Sequence, residues 1–189
     1  MELSTDGIAS DEIQCPACGH CNMAGSDACE ECGQSIVDAE DPEPESDSWA
    51  LTEPLLRLSP RVPETVERDQ SLGETIARLK GRNVGCVLVT DHGGELAGIF
   101  TERDVLYRVA GLIEDLDSLP VESLMTPEPT ALKPSDPINR ALHLMAIHGF
   151  RHVPLVDEDD RPVGIVSLRD IIRFMEEYVQ RYGHLVLPD

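Results

Sequence analysis

The chain contains a duplicated segment whose two copies align without a gap at an offset of 66 residues. A repeated unit of this length is ordinarily one supersecondary module that buries its apolar face against a neighbouring copy. The duplication therefore predicts two packed copies and a functional site with pseudo-twofold symmetry. Identical residues at this offset include Leu58/Leu124, Val87/Val153, Asp91/Asp157, Gly98/Gly164, Ile99/Ile165, Arg103/Arg169 and Asp104/Asp170.

Each copy begins with a proline-rich lead-in segment, which is followed by a helix, two strands and a second helix. In the first helix, apolar residues recur at spacings of three and four, which places them on one helical face. Asp136 and Pro137 form a helix-start signal in the second copy. The lead-in segment is extended and can add a third strand. The apolar helix residues are Leu72, Ile76 and Leu79 in one copy and Ile138, Leu142 and Met145 in the other.

Two short apolar runs follow the first helix of each copy and predict a pair of strands. The first runs are CVLVTD and HVPLVD, and the second runs are LAGIF and PVGIV. A closing helix is predicted over 102–110 and over 168–181. Its apolar faces are formed by Val105, Leu106, Val109, Ile171, Ile172, Met175 and Val179.

The chain is strongly acidic, which excludes several classes of partner. It has 15 Lys and Arg against 36 Asp and Glu, for a formal net charge of −21. Such a charge repels nucleic acids and anionic membrane surfaces. A salt-adapted protein and an acidic mesophilic protein both fit this composition. No apolar run reaches the roughly 18 residues of a membrane span, and the amino terminus lacks signal-peptide features, so we expect a cytoplasmic protein.

Two cysteine pairs near the amino terminus predict a metal site. Cys15 and Cys18 lie in CPACG, and Cys29 and Cys32 lie in CEECG. Two thiolates three residues apart chelate one ion, and four thiolates suit tetrahedral Zn(II). The segment 13–36 is similar to a minimal zinc ribbon, with iron as the alternative metal. Redox-active CxxC pairs are the competing interpretation, which lacks the surrounding βαβ pattern that would favour it.

The charge around these cysteines indicates what the ribbon contacts. The first 56 residues contain fourteen Asp and Glu and no Lys or Arg. Phosphate neutralisation by cations dominates nucleic-acid affinity, so we expect a structural or protein-contact ribbon and no nucleic-acid partner. Cys21 is a spare thiol or an exchangeable ligand. Residues 37–53 are acidic and contain Pro and Ser, which predicts a flexible linker.

The duplicated segment resembles the CBS domain. In both copies a strand pair leads into G-I-[FV]-[ST]-x-x-D and a helix, within NVGCVLVTDHGGELAGIFTERD (83–104) and GFRHVPLVDEDDRPVGIVSLRD (149–170). Two such domains in tandem resemble a Bateman module. The resemblance implies an α/β (α+β) fold. It comprises two β-α-β-β-α repeats, at 54–112 and 120–181, packed with pseudo-twofold symmetry and preceded by the zinc ribbon.

Four residues of the repeated G-I-x-[ST]-x-x-D element have a structural and a functional interpretation. Thr101 and Ser167 stand at strand-to-helix junctions, with Asp104 and Asp170 at capping-box spacing. A helix amino terminus at the end of a sheet also attracts anions. The resemblance implies that the aspartates hold ribose hydroxyls and the hydroxyl residues lie beside ribose or phosphate. The two interpretations are compatible.

A basic pair distinguishes the two copies. Arg151 and His152 stand at the start of a strand in the second copy, where the resemblance implies that they face phosphate. The first copy has the uncharged Gly85 and Cys86 instead, so we expect unequal sites. A solvated arginine and a core histidine are the competing interpretation. Pro154 and Ile165 complete the candidate ligand-binding set.

The leading hypothesis is a non-catalytic sensor that binds an adenine nucleotide (AMP, ADP or ATP) between the copies, with the ribbon contacting a protein partner. Bateman modules commonly pair, so we expect a homodimer. The alternatives are a ligand-free interaction module and a binder of another adenosyl ligand, such as S-adenosylmethionine or NAD. We find no nucleophile–base pair and no open metal site that would suggest an enzyme. Arg103 and Arg169 are expected to pair with local carboxylates.

Overall fold

A computed structural model describes residues 12–15, 18–23, 26–34, 36 and 49–182 of the chain. The amino-terminal elements are β1 (Glu12–Gln14), β2 (Cys21–Met23) and α1 (Trp49–Thr52). The first repeat contains a 3-10 helix (Leu55–Leu58), β3 (Thr65–Glu67), α2 (Leu72–Arg82), β4 (Cys86–Thr90), β5 (Leu96–Thr101), α3 (Glu102–Asp104) and a π-helical turn (Val105–Val109). The second contains a 3-10 helix (Val121–Ser123), β6 (Thr126–Pro127), α4 (Ile138–His148), β7 (His152–Val156), β8 (Pro162–Ser167) and α5 (Leu168–Tyr182).

The two repeats have the same sheet topology. In the first, β3 runs parallel to β4, which pairs antiparallel with β5. In the second, β7 pairs antiparallel with β8, and a single parallel bridge joins Leu132 to Leu155, the positions equivalent to Val66 and Val89. Both hairpins have their register shift at the same place, after Val89 and after Leu155. The predicted third strand is therefore present, fully in one copy and as a bridge in the other.

The repeats exchange their lead-in segments. Leu55 belongs to the first repeat, yet its side chain is fully buried in the core of the second. Val121 occupies the equivalent place in the core of the first repeat. Backbone hydrogen bonds that are equivalent in the two repeats stabilise this exchange. Leu55 N–H donates to Asp136 O and Val121 N–H donates to Gln70 O, both over 2.8 Å. Ile138 N–H donates to Glu53 O and Leu72 N–H donates to Leu119 O, both over 2.9 Å.

The same exchange continues into the strands that follow the lead-in segments. Strand β6, which precedes the second repeat's first helix, pairs with β5 of the first repeat. Reciprocally, Arg61 forms an antiparallel bridge with Ile165 in β8, and Ile165 N–H donates to Arg61 O over 3.1 Å. Each sheet is thus completed by the other repeat, which places the lead-in residues along the boundary between the two.

The closing helices differ between the repeats. The predicted helix over 102–110 is a single α-helical turn that continues as the π-helical turn Val105–Val109, whereas α5 is a regular helix of 15 residues. Val109 and Ile171 are buried as predicted, but the apolar face is only partly used. Leu106, Ile172 and Val179 are 63%, 49% and 59% exposed, respectively.

One local prediction needs correction. The predicted linker 37–53 extends too far, because Trp49–Thr52 forms α1, with Ala50 buried and α1 packed against α4; residues 37–48 lie outside the described residues. A four-residue helix is too short to show a periodic pattern. Helix α4 begins after Pro137 without a side-chain cap, and Asp136 instead accepts Lys133 N–H over 2.7 Å, closing the preceding turn.

The amino-terminal ribbon is a small separate cluster against the second repeat. Strands β1 and β2 pair antiparallel, and among the residues of this segment whose burial the structure describes, the buried apolar ones are Cys15, Cys29 and Ile36. Cys18 packs both against them and against the core of the second repeat. No helix in the described ranges is long and apolar enough to cross a bilayer.

Candidate functional site

The repeated G-I-x-[ST]-x-x-D elements form matching capping boxes at the starts of α3 and α5. Asp104 Oδ2 accepts the Thr101 backbone N–H over 2.9 Å and the Thr101 hydroxyl over 2.7 Å. Asp170 Oδ2 accepts the same two groups of Ser167 over 2.9 and 2.6 Å. One oxygen of each carboxylate therefore starts a helix, and the other, Oδ1, is left for a further partner.

The Oδ1 atoms have different neighbours in the two repeats. Asp104 Oδ1 lies 3.4 Å from the guanidinium of Arg108, which also donates to Leu124 O over 2.9 Å. Asp170 Oδ1 lies 3.6 Å from Arg61 and 3.8 Å from Arg173, two arginines whose side chains are more than half exposed. Asp104 is thus paired with an arginine that a second hydrogen bond holds in place, whereas Asp170 lies near two largely exposed arginines.

A cleft of about 420 Å³, which we call the second cleft, opens between the repeats beside Ser167 and Asp170. This volume lies within the usual range of small-molecule sites. A more open hollow of about 630 Å³ on the outer face of α2 contains none of the capping residues. The second cleft is lined by the basic Arg61, Arg151, His152 and Arg169, the acidic Glu64, Glu102 and Asp170, and the apolar Val62, Pro63, Leu88, Ile165 and Ile172, among others.

The predicted site residues divide between two places. Arg151, His152, Ile165, Ser167 and Asp170 line the second cleft together. The remaining three are not among its lining residues, and two of them form the first capping box. They are Thr101, Asp104 and Pro154, the last being the equivalent of the lining residue Leu88.

The basic pair of the second repeat enters the cleft next to the first repeat's backbone. The ring of His152 lies against Gly85, where an added Cβ would come within 3.2 Å of Nε2. Burial lowers the pKa of His152, and Arg151 lowers it further, against the opposing effects of Asp170 and Glu102. Cys86 is buried behind this contact, and burial raises its pKa to about 12. The missing side chain at position 85 is what makes room for the imidazole.

Several lining residues were not found from the sequence. Arg61, Val62, Pro63 and Glu64 reach the second cleft only because the lead-in segments are exchanged, and a copy-by-copy comparison does not reveal that exchange. A second difference concerns Arg169, which was expected to pair with a local carboxylate. Neither it nor Arg103 has an ion pair among the described residues, and Arg169 lines the cleft instead.

The four predicted metal ligands come together in the ribbon. Their sulfur atoms all lie within 4.8 Å of one another, with Cys15 Sγ 3.7 Å from Cys32 Sγ and Cys18 Sγ 3.6 Å from Cys29 Sγ. A regular tetrahedron with Zn–S bonds of about 2.3 Å has edges of about 3.8 Å. The cysteine geometry therefore fits a four-thiolate metal centre. Cys21 is exposed and stands apart from this set.

A buried asparagine joins the two cysteine knuckles. Asn22 is 3% exposed, donates to His20 O and accepts Glu30 N–H, each over 2.9 Å. Burial would raise the pKa of the neighbouring Cys29 thiol, but the N–H groups of Cys32 and Glu31 bring it down to about 6. Such groups around thiolate ligands orient them and stabilise their charge. The spacing of the cysteines gave no indication of Asn22, which lies between the two pairs in the sequence.

These features define a class of protein: a pair of interlocked α/β repeats with a ligand-sized cleft between them, carrying a four-cysteine ribbon. The sequence profile of the CBS domain matches residues 58–111 and 121–177. The chain therefore belongs to the CBS-domain family, as the resemblance indicated, and it contains two tandem CBS repeats.

Relatives agree with this assignment. An uncharacterised 17.7 kDa protein of Acidianus ambivalens is 31% identical over 119 residues, which are 62% of this chain and 71% of that protein. The chain spans 63% to 74% of three other curated relatives.

Solved structures share the fold. The CBS-domain protein PAE2072 of Pyrobaculum aerophilum, complexed with AMP, has a TM-score of 0.60 and 26% identity, covering 67% of this chain and 98% of that one. The CBS domain pair of MJ0100, in complex with 5-methylthioadenosine and S-adenosyl-L-methionine, has a TM-score of 0.58 and 25% identity, covering 65% and 98%.

Proposed function

We propose that this protein is a non-catalytic sensor that binds an adenine nucleotide in the second cleft. The observation that carries the proposal is the group of three arginines and a histidine among its lining residues, beside Glu64, Glu102 and Asp170. Arg61, Arg151, His152 and Arg169 line one cleft of a chain whose net charge is −21. Arg151 and Arg169 have no ion pair among the described residues and are available to phosphate oxygens, which guanidinium groups bind in bidentate fashion.

The other parts of the second cleft fit the remaining parts of a nucleotide. Asp170 Oδ1 stands beyond the capping box and can accept ribose hydroxyls. Val62 and Pro63 provide apolar surface for a base. The AMP complex of the PAE2072 protein supports an adenine ligand for a module of this kind. We propose AMP, ADP or ATP in preference to S-adenosylmethionine, because the sulfonium of the latter carries positive charge towards arginines.

Thermal unfolding of the metal-loaded full chain tests this proposal. A ligand at about 100 times its dissociation constant adds about 2.7 kcal/mol to the free energy of unfolding, which corresponds to a shift of several degrees for a chain of this size. We expect one of AMP, ADP or ATP to give that shift, at low or molar salt, and Asp170→Asn to abolish it. An asparagine oxygen still accepts the backbone N–H at the cap, so the helix start is kept.

Asp104→Asn is the matched control, because it makes the same change in the equivalent capping box. We expect it to keep the nucleotide-induced shift. Equal loss in both variants would contradict the assignment to the second cleft. If no nucleotide, S-adenosylmethionine or NAD shifts unfolding at either salt concentration, the protein is a ligand-free interaction module.

The ribbon completes the proposed sensor. We assign it Zn(II), held by Cys15, Cys18, Cys29 and Cys32, and the role of contacting a partner protein. Its sulfur spacing fits that ion, and its packing through Cys18 against the second repeat gives it a contact with the ligand-binding module. Through this contact the proposed ribbon presents the state of the module to a partner.

The proposed sensor forms a homodimer through its closing helices. Leu106 and Ile172 occupy equivalent positions in the two repeats and are 63% and 49% exposed. Burying such residues removes apolar surface from water, at about 25 cal/mol per Å². Light scattering on the eluting full-length protein is expected to give twice the chain mass, and Ile172→Glu is expected to reduce it to one chain mass. A wild-type mass of one chain at micromolar concentration would refute the dimer.

A further inference from the structure

The second cleft has fewer free positive charges than its lining residues suggest. Arg61 lies 3.6 Å from Asp170 Oδ1, so these two lining residues partly offset one another. Burial lowers the pKa of His152 below its ordinary value, which leaves the imidazole uncharged at neutral pH. Arg151 and Arg169 are the lining cations that have no ion pair among the described residues. The cleft therefore offers two free guanidinium groups to a bound anion.

The second cleft also contains one free negative charge, that of Glu102. Of the three lining carboxylates, Asp170 lies near Arg61, and Glu64 lies 3.5 Å from Arg82 and 4.0 Å from Arg78. Glu102 has no ion pair within the part of the chain that the structure describes. Its charge is therefore not neutralised by a neighbouring side chain.

Glu102 lies beside the residues that we propose to face phosphate. Its backbone N–H donates to Gly85 O over 3.0 Å. A Cβ added to Gly85 would lie 3.2 Å from His152 Nε2 and 3.8 Å from Glu102 Oε2, so the imidazole and the carboxylate approach the same point on the cleft wall. Burial lowers the pKa of His152, and the negative charge of Glu102 opposes that effect. A phosphate held at Arg151 and His152 would thus have a carboxylate close by.

The fold does not require a carboxylate at position 102. The equivalent residue of the second repeat is Leu168, whose N–H donates to Arg151 O over 3.0 Å, the same backbone hydrogen bond that Glu102 makes in the first repeat. The capping box of α3 is formed by Thr101 and Asp104 and does not use the Glu102 side chain. The carboxylate of Glu102 is therefore available to act on a ligand.

We propose that Glu102 is a specificity-determining residue, which makes the second cleft selective for a nucleoside monophosphate over the corresponding triphosphate. Two free guanidinium groups match the charge of about −1.5 to −2 that one phosphate monoester carries at neutral pH. Each further phosphate group adds negative charge, which the other lining residues do not neutralise and which Glu102 repels. The inference rests on the proposed function, because it requires an adenine nucleotide in this cleft with its phosphate at Arg151. Among the three candidate nucleotides it selects AMP.

Calorimetric titration of the full, metal-loaded chain with AMP and with ATP tests this inference. No divalent cation is added, because such ions neutralise a triphosphate. We expect the wild type to bind AMP at least about fivefold more tightly than ATP, and Glu102→Gln to narrow this preference by about fivefold, mainly by strengthening ATP binding. A change of that size is the upper limit for the interaction of an exposed charge.

Glu64→Gln is the matched control, because Glu64 lines the same cleft but has arginine partners. We expect it to change the ratio of AMP affinity to ATP affinity by less than about twofold. An equal narrowing of the preference in Glu64→Gln and Glu102→Gln would overturn the assignment to Glu102. Glu102→Leu is the second variant, since the second repeat has a leucine at this position.

The outcomes separate this inference from the proposed function. If wild-type protein binds no adenine nucleotide, the proposed function itself fails. If wild-type protein binds ATP as tightly as AMP, or more tightly, the proposed function stands and the inference is wrong. The inference is also wrong if neither Glu102→Gln nor Glu102→Leu narrows the preference while the unfolding temperature of the variant stays within a few degrees of the wild-type value.

Discussion

Removal of the bound metal is expected to unfold the ribbon and leave the paired repeats folded. The buried apolar residues of the ribbon among those described are Cys15, Cys29 and Ile36, far fewer than a segment of this size needs to fold without a metal. Four-cysteine and related zinc sites contribute about 10–16 kcal/mol in small peptides at neutral pH. The repeats have their own cores, each with ten buried side chains, and do not depend on the ion.

Thiol reactivity towards a chromogenic aromatic disulfide tests whether the ribbon unfolds while the repeats stay folded. In the loaded protein only Cys21 is exposed, whereas Cys86 is buried in the cleft wall. After chelation, we expect the four ribbon cysteines to react as well, while Cys86 stays protected until a denaturant unfolds the repeats. Elemental analysis is expected to find one zinc per chain, lost in Cys29→Ser and kept in Cys21→Ser. Full protection of all four ribbon thiols in metal-free protein would contradict a metal-dependent ribbon.

The sequence predicted much of the fold because each local pattern occurs twice, once in each repeat. Helix periodicity, apolar strands and capping-box spacing each recur at 66 residues, and a chance pattern would not. The capping boxes at Thr101 and Ser167 were predicted from local spacing alone, since every atom of such a box lies within four consecutive residues. Local chemistry of this kind is readable without knowledge of the tertiary fold.

The features that the sequence did not predict depend on contacts between residues that are distant in sequence. Arg61 reaches the second cleft because its segment pairs with Ile165, and no periodicity of the first repeat encodes that partner. The π-helical turn at Val105–Val109 is another case. Its apolar residues have the same spacing as those in the first part of α5. Arg108 is tied to the Leu124 carbonyl there, whereas Phe174 packs into a core. Equal patterns therefore gave unequal helices and unequal surroundings for the carboxylates of Asp104 and Asp170.

Leu55→Ala is expected to destabilise the protein by about 2–5 kcal/mol, the usual cost of removing a fully buried leucine side chain. For a chain of this size that lowers the unfolding temperature by roughly 4–20 °C. Leu56→Ala is the matched control in the same 3-10 helix, because Leu56 is 64% exposed while Leu55 is fully buried. We expect the control to change stability by no more than about 0.5 kcal/mol.

The location of Leu55 makes this substitution a test of the exchange between repeats. It belongs to the first repeat in sequence but packs with Ile138, Leu144 and Val153 of the second, so its loss should weaken both at once. Calorimetry of the variant is therefore expected to show a single transition moved to lower temperature. Two transitions, with only one of them moved, would mean that the repeats unfold separately. The second cleft is lined by residues of both repeats. If the repeats unfold as one cooperative unit, a ligand bound in this cleft stabilises the whole module.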